Sequence, residues 1–385
     1  MARAADGRES VTIHFVTPEY PPMLGGVSDY THQIAAELAR HGATVHVWGP
    51  SGIAAPPGSP VVVHPELGRF HASDLRRAGT VLDTFPSPRR LLVQWVPHGY
   101  GRRAMNLPFC FWVWRRAVAG DSVELIVHEP FVTFSGSAGQ YALAAVQRMM
   151  TLMLLSAARR VWVTTESWTP LLEPYLSTAA TRIVSLPVPS SLEPADAAAI
   201  ERVRTRYAPG DTCLVGHFGT HGALVTPLLD AVIPLIAEAN ASAHFLLIGA
   251  GSEEFTSALV GNHTHLAGRV SATGALHVRD LPAHIAACDV LLQPYPDGVT
   301  TRRTSTMAGL SARVPVVSTS GKLTERLWLA DGPVKLAPAN DSRAIADHVL
   351  QLLADPVERR RQAEAGRAFY DTWLDVRHTV AALVE

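Results

Sequence analysis

Cysteine is scarce in this chain. Three residues in 385, Cys110, Cys213 and Cys288, are widely spaced, odd in number and set mostly among apolar neighbours. That pattern excludes a disulfide framework and a cysteine-based zinc site, and it suits reduced core thiols. An excess of either charge is also missing. Thirty-three basic residues face thirty-four acidic ones, a formal net charge of −1, so nothing global draws the chain to nucleic acid and any anion site must be local. The first ten residues, MARAADGRES, contain no apolar stretch of the kind a secretion signal needs. The longest apolar segment, YALAAVQRMMTLMLLSAARRVWV, is interrupted by Arg148 and by Arg159 and Arg160. It reads as a buried helix running into a strand rather than a membrane span. A cytoplasmic protein is expected, with the inner face of the membrane as a further location.

Apolar residues, by contrast, make up 47% of the chain and charged ones 17%, which excludes disorder and points to well-covered sheets. The length exceeds what one hydrophobic core usually serves, so two domains are expected. VTIHFVTPEY, THQIAAELARHG and ATVHVWGP form a strand, a helix with a glycine stop and a second strand, which is a βαβ unit. VVVHP, RLLVQWVP, ELIVHEP and RRVWVTTE continue an open parallel sheet. Prolines and small residues from Leu186 to Pro194 read as a linker. DTCLVGHFG, a helix from about Thr226 to Glu238, AHFLLIGAG, HTHLAGRV, LPAHIAACDVLLQPY and VPVVSTS then restart the same grammar, and the chain ends in helix. The fold class is therefore α/β, with two Rossmann-like, doubly wound domains. Ligands in such sheets bind outside the carboxyl ends of the strands, so the two domains are expected to face a shared cleft.

Chemistry-bearing residues recur at those ends. Gly25 and Gly26 follow the first strand and precede Ser28, Asp29 and a helix, a place where backbone can approach a phosphate. The bland alternative is a tight loop capped by Asp29. His128 and Glu129 end ELIVHEP, and His98, Gly99 and Tyr100 follow RLLVQWVP; among seventeen histidines any single one is more often structural than catalytic. In the second half, GHFGTHG carries Gly219 and Thr220, LLIGAGSEE carries Gly249 and Gly251, and TGAL ends on Leu276. Singly each is a common βα turn; together, at successive strand ends, they suggest one ligand. GVTTRRTSTMAGL sets Arg302 and Arg303 beside Thr304 and Ser305 where a helix begins, and guanidinium forks suit phosphate oxygens. FCFWVWRRAV, flanked by Arg102–Arg103 and Arg115–Arg116, reads better as a core helix with solvated arginines at its ends. The alternative is a face laid against lipid or a greasy acceptor.

Over nearly its whole length the chain resembles the group 1 (family 4) glycosyltransferases, retaining enzymes with two Rossmann-like domains in the GT-B arrangement. The resemblance rests on Pro22, Gly25, Gly26 and Tyr30 for the first-strand loop, on His128 in VHEP, and on VGHFG, LLIGAGSEE, TGAL, ACDVLLQPY and VPVVSTSG. Two features depart from the pattern. Aligned on Pro315, Val316 and Val317, the family's Glu-x7-Glu pair falls on Thr300 and Ala308, and the diphosphate-binding arginine falls on His217 with no lysine near Ala223.

The resemblance implies three segments: an acceptor-binding domain over residues 1–187, a nucleotide-sugar domain over 188–365, and a helix over 366–385 that includes Trp373 and packs back on the first domain. It implies transfer of a sugar from a nucleoside diphosphate sugar, with retention, to a sugar, lipid-linked glycan or small molecule. His128 and Gly26 would serve the reacting sugar, and Gly219, Thr220, Gly249, Gly251, Leu276, Arg302, Arg303, Thr304 and Ser305 the nucleotide. No separate cofactor, metal or nucleic acid is expected, while a peripheral membrane contact through the first domain is. An epimerase on the same fold and a catalytically silent binding partner are the rival readings.

Overall fold

Runs of consecutive apolar residues, rather than strict alternation, mark strands that are covered on both faces. The computed structural model describes residues 11–176, 181–330 and 332–385. MARAADGRES and Ser177–Ala180 lie outside the described residues. The chain divides into two compact units, Met1–Pro187 with Val376–Glu385, and Val188–Asp375.

The first unit holds β1 (Thr12–Val16), β2 (Thr44–Pro50), β3 (Val62–Gly68), β4 (Arg90–Trp95), β5 (Ser122–Val127), β6 (Arg160–Val163) and β7 (Arg182–Ser185). They form one parallel sheet in the order β3-β2-β1-β4-β5-β6-β7. The strand order reverses between β1 and β4, so the loops after these two strands leave a crevice at the carboxyl edge. Its helices are α1 (Gly26–Arg40), α2 (Ala72–Leu82), α3 (Leu107–Val118), α4 (Ala138–Ala157) and the short α5 (Thr169–Leu172). β7 ends just before the stretch read as linker; its pairing with β6, Val161 against Ile183, is a tertiary event that local composition does not announce.

The second unit holds β8 (Cys213–Phe218), β9 (Ala243–Ile248), β10 (Val270–Ala272), β11 (Val290–Gln293), β12 (Val316–Ser320) and β13 (Lys335–Pro338) in the order β10-β9-β8-β11-β12-β13. Here the reversal falls between β8 and β11. α6 (Ala197–Tyr207), α7 (Thr226–Ala239), α8 (Ser252–Asn262), α9 (Leu281–Ala286), α10 (Thr304–Ser311), α11 (Arg326–Ala330), α12 (Ser342–Ala354) and α13 (Pro356–Trp373) belong with it. Two core clusters lie in this unit, one with Leu214, Met307, Leu310 and Trp328 and the other with Val232, Phe245, Val317 and Val349.

The last helical stretch is two helices. Phe369, Tyr370 and Leu374 are buried in the second unit's core and Tyr370 Oη accepts from Ser190 N (3.1 Å), whereas Trp373 is exposed. Residues 366–375 thus stay with the second unit. α14 (Val376–Val384) belongs to the first, where Arg90 donates to the Leu383 carbonyl (2.5 Å) while its Nε holds Glu124 (2.7 Å).

One cluster in the first unit has a consequence for stability. His14 and His46 are register partners on β1 and β2, with rings stacked at 5.0 Å, and Trp48 and His64 are partners on β2 and β3, stacked at 3.9 Å. Burial, then the neighbouring His46, pushes His14 down to about 3, and burial lowers His46 and His64 as well. These rings are neutral when folded and take up protons near pH 6.5 when unfolded. The unfolded state then binds more protons below that pH, so stability is full above it and is lost as pH falls from about 6.5 toward 3. Urea midpoints should drop between pH 7.5 and pH 5. Equal midpoints would show that the cluster is not linked to folding.

Candidate functional site

In the second unit, the loops after β8, β9 and β10 are tied to one another. Gly219 N donates to the Ile248 carbonyl (3.0 Å), Gly249 N to Thr273 Oγ1 (3.2 Å) and Gly274 N to Ser252 Oγ (3.0 Å). Gly249 has φ +116°, and a Cβ there would overlap the Gly219 carbonyl oxygen, so backbone must pass backbone without a side chain between. Gly251 caps α8, and its own Cβ would meet the Thr220 oxygen at 3.0 Å. The structure therefore brings Gly219, Thr220, Gly249 and Gly251 together. Leu276 packs its side chain against the core, which leaves backbone as what TGAL can offer a ligand.

β11 supplies the other half, on the far side of the strand-order reversal. With its amide nitrogen toward β8, buried Gln293 donates to the Phe218 carbonyl (3.2 Å) and accepts from Phe218 N (2.9 Å), linking the two strand ends. Tyr295 is buried; its hydroxyl shares hydrogen bonds with Ser305 (2.7 Å) and Thr306 (3.0 Å). Arg303 is the residue capping α10, and its guanidinium lies over the Tyr295 ring at 4.4 Å. Its Nε is buried with no hydrogen-bond partner. Stacking of this kind fixes the plane of the fork while leaving its donors for an anion. Arg302 is half-buried and Thr304 exposed.

The two helix starts differ. α8 carries Glu253 and Glu254 in its first turn, and α10 carries no acidic residue there. A dipole already answered by two carboxylates has little left for a phosphate, so α10 is the end suited to one.

His217, aligned with the family's arginine, is buried, and its Nδ1–H donates to the Leu292 carbonyl (2.8 Å). Burial, then His221, pushes it down to about 3, so it is neutral and supplies no charge to a diphosphate. The chain's two lysines, Lys322 and Lys335, pair with Asp297 and Glu358. Thr300 and Ala308, aligned with the glutamate pair, are both buried.

A carboxylate nevertheless reaches this loop by another route. Buried Glu325, just after β12, accepts from Thr301 N (2.7 Å), Thr301 Oγ1 (2.6 Å) and Trp328 Nε1 (2.8 Å). It props the backbone that leads into Arg303. Glu325→Ala leaves these buried donors without an acceptor, at a cost of about 1–3 kcal/mol for each that finds no replacement. A loss of about 3 kcal/mol in unfolding free energy is expected, and Glu325→Gln should recover only part of it, because its amide NH2 would face N–H donors. Chemical denaturation of the three proteins checks this; full stability in Glu325→Ala would mean the loop stands without it.

In the first unit, Gly26 begins α1, but the helix start is already occupied. Glu19 Oε1 accepts from Val27 N and Ser28 N, both at 3.0 Å, and a Cβ on Gly25 would overlap that carboxylate. Gly25 thus makes room for the chain's own carboxylate rather than for a phosphate, and the cap is Glu19 instead of Asp29. His128 follows β5. Its Nε2 lies 2.6 Å from Gln94 Oε1, its ring meets the Tyr30 ring edge-on at 5.1 Å, and Trp168 Nε1 donates to its carbonyl (3.0 Å). Tyr100 is a core residue whose hydroxyl donates to the Gln94 carbonyl (2.7 Å), while His98 is exposed beside Glu129 (3.6 Å).

Sequence reasoning passed over Tyr295, Glu325, Gln94 and Glu19. Tyr295 lies within ACDVLLQPY and could have been found as an aromatic at a strand end. The others are joined to their partners only by the tertiary fold.

Residues 212–355 match the family model described as glycosyl transferases group 1. No curated protein sequence matches the chain. Among solved structures, sucrose-phosphate synthase from Thermosynechococcus elongatus is similar at 16% identity and a TM-score of 0.73, covering 97% of each chain. Anabaena HepE in complex with UDP and glucose is similar at 15% and 0.71, over 97% of this chain and 98% of that one. WaaG, a glycosyltransferase involved in lipopolysaccharide biosynthesis, is similar at 15% and 0.68, over 96% and 98%. At such identities the likeness is one of fold. The chain therefore has the GT-B fold of glycosyltransferases, and its residues 212–355 are similar to the group 1 glycosyltransferases.

Proposed function

We propose that the protein is a retaining hexosyltransferase that uses a nucleoside diphosphate sugar as donor. The observation that carries this reading is the pairing, at one strand-order reversal, of backbone-only loops at Gly219 and Gly249 with an arginine stacked at the start of an acid-free helix. Anabaena HepE has been solved with UDP and with UDP-glucose, which supports a uridine donor as the first to test. In this reading Gly219, Thr220, Gly249, Gly251 and the TGAL backbone hold the nucleotide. Arg303, with Arg302, Thr304 and Ser305 around it, holds the diphosphate, and α10 and the guanidinium stabilise the negative charge that grows on it as the sugar leaves. The acceptor attacks on the face from which the diphosphate departs. Gly26 and His128 in the first unit take part in the transfer.

Calorimetric titration of the full chain with nucleoside diphosphates tests the donor site. Arg303→Ala should weaken diphosphate binding by about one to two powers of ten, the loss of one charge-assisted contact, and the monophosphate should lose less. Lysine should rescue only partly, since a point charge lacks the fork. Equal diphosphate affinity in Arg303→Ala, Arg302→Ala and the double variant would remove the arginine loop from the site. Incubation with UDP-glucose alone distinguishes an epimerase, which alters the donor without an acceptor. Binding without any turnover would support the silent partner, and the anomeric configuration of a product would decide retention.

A further inference from the structure

His221 lies in the loop after β8, between Thr220 and Gly222. Both neighbours are exposed, whereas His221 is only 9% exposed. Its backbone is left-handed, with φ +50°, a region that residues other than glycine seldom enter and that persists where the surroundings hold it. The ring meets His217 edge-on at 5.1 Å and Phe255 of α8 at 6.0 Å, and Nδ1 lies 3.3 Å from the Ala250 carbonyl. A carbonyl only accepts, so Nδ1 carries the hydrogen. Nε2 is buried and has no hydrogen-bond partner. A Cβ on Gly251 would stand 3.6 Å from the His221 Cβ, which puts the histidine at the crossing of the two glycine loops.

The loops at residues 219–225, 249–251 and 273–276 contain no lysine, arginine, aspartate or glutamate. His221 is the side chain among them that can carry a positive charge. Burial lowers its pKa, while the carbonyls of Ala250 and Gly219 favour the cation. His217, the titratable group that faces it, is neutral, and the α8 carboxylates Glu253 and Glu254 are exposed, with Glu253 turned toward Gly274. The free ring is therefore neutral near pH 7, and its Nε2 presents a lone pair that an anion avoids. A proton added there turns the same atom into a donor for a charge-assisted bond, and a nearby negative charge favours that addition. We propose, on the donor reading given above, that His221 is a further donor-binding residue, which takes a proton from solvent as the diphosphate binds and donates from Nε2 to a phosphate oxygen. The bound state then holds one proton more than the free protein, so affinity falls as pH rises through the titration of the bound ring.

The test is calorimetric titration of the full chain with UDP-glucose, ADP-glucose and GDP-glucose, whose diphosphates lack the second ionisation near pH 6 that a terminal phosphate brings. Affinity for the sugar nucleotide that binds should fall roughly fivefold or more from pH 6 to pH 8, and binding heats in buffers of different ionisation enthalpy should report uptake of roughly half a proton or more at pH 6.5. His221→Asn keeps a side chain that tolerates the left-handed region but takes no proton; its affinity should be low and equal at the two pH values, with the buffer dependence gone. His221→Lys, charged throughout, should flatten the profile at the tighter end. Circular dichroism verifies that each variant is folded, and His221→Gly, unstrained at that φ, provides a second chain without the imidazole. Donor binding with no proton uptake overturns the proposal and leaves the donor reading standing, as does uptake that His221→Asn and His221→Gly retain. Equal loss of affinity at pH 6 and pH 8 in these two variants, with the wild-type profile flat, would make His221 a structural residue of the loop and overturns it as well. Binding of none of the three sugar nucleotides overturns the donor reading and this role of His221 together.

Discussion

Gly249→Val should abolish nucleotide binding in an otherwise folded protein. Gly249 has φ +116°, and its missing Cβ is what lets the Gly219 carbonyl lie against it. A β-branched residue meets both obstacles, a backbone region that L-residues avoid and a carbonyl that cannot move without breaking Gly219 N to Ile248 O. The strained loop is also the one proposed to approach the donor, so the relaxation that relieves it displaces Gly219 and Thr220. A loss of diphosphate affinity of about a hundredfold or more is expected, about 2.7 kcal/mol, with Gly249→Ala in between. Gly261 provides the control, because it lies within α8 and a Cβ there would meet nothing; Gly261→Ala should bind normally and be slightly more stable. Titration of the three variants checks this, and near-normal binding in Gly249→Val would place the donor elsewhere.

How far such a site can be read from the chain depends on whether its parts are local. The strand ends at Phe218, Ile248 and Gln293 are bounded by apolar runs and by glycines, so the fold and the positions of the loops follow from periodicity. The place of Arg303 at the start of α10 also follows, because the hydroxyl-rich stretch precedes a helix-forming one. What periodicity does not carry is which polar group answers which. Glu19 fills the start of α1 across a loop of eight residues or more, and Glu325 reaches Thr301 from 24 residues away. In both cases a carboxylate of the chain meets backbone N–H groups of the kind that a reading of local sequence assigns to a ligand. The segment FCFWVWRRAV shows the same limit in another form. Its inward and outward faces are both apolar, so hydrophobic spacing alone does not tell the side that packs from the side that is exposed.

His128→Ala should keep nucleotide affinity and lose turnover. The residue lies in the first unit, after β5, whereas the loops proposed to hold the nucleotide all belong to the second. Its imidazole is held in place: with the Gln94 amide oxygen toward it, Nε2 carries the proton and donates at 2.6 Å, and Tyr30 packs against the ring. A ring fixed in plane and tautomer is suited to a contact that strengthens as the sugar leaves. Loss of one such contact typically costs roughly a hundredfold in kcat with little change in ground-state binding. Gln94→Leu separates position from chemistry. It removes the partner that fixes the tautomer, so it should lower kcat less than His128→Ala and shift the pH profile, whereas a residue with a merely structural role would leave that profile unmoved. Both variants need the same nucleotide affinity as the parent for the comparison to stand. Parental turnover in His128→Ala would retire His128 as a residue of the reaction and leave the first unit's part in it to be sought in other strand-end loops.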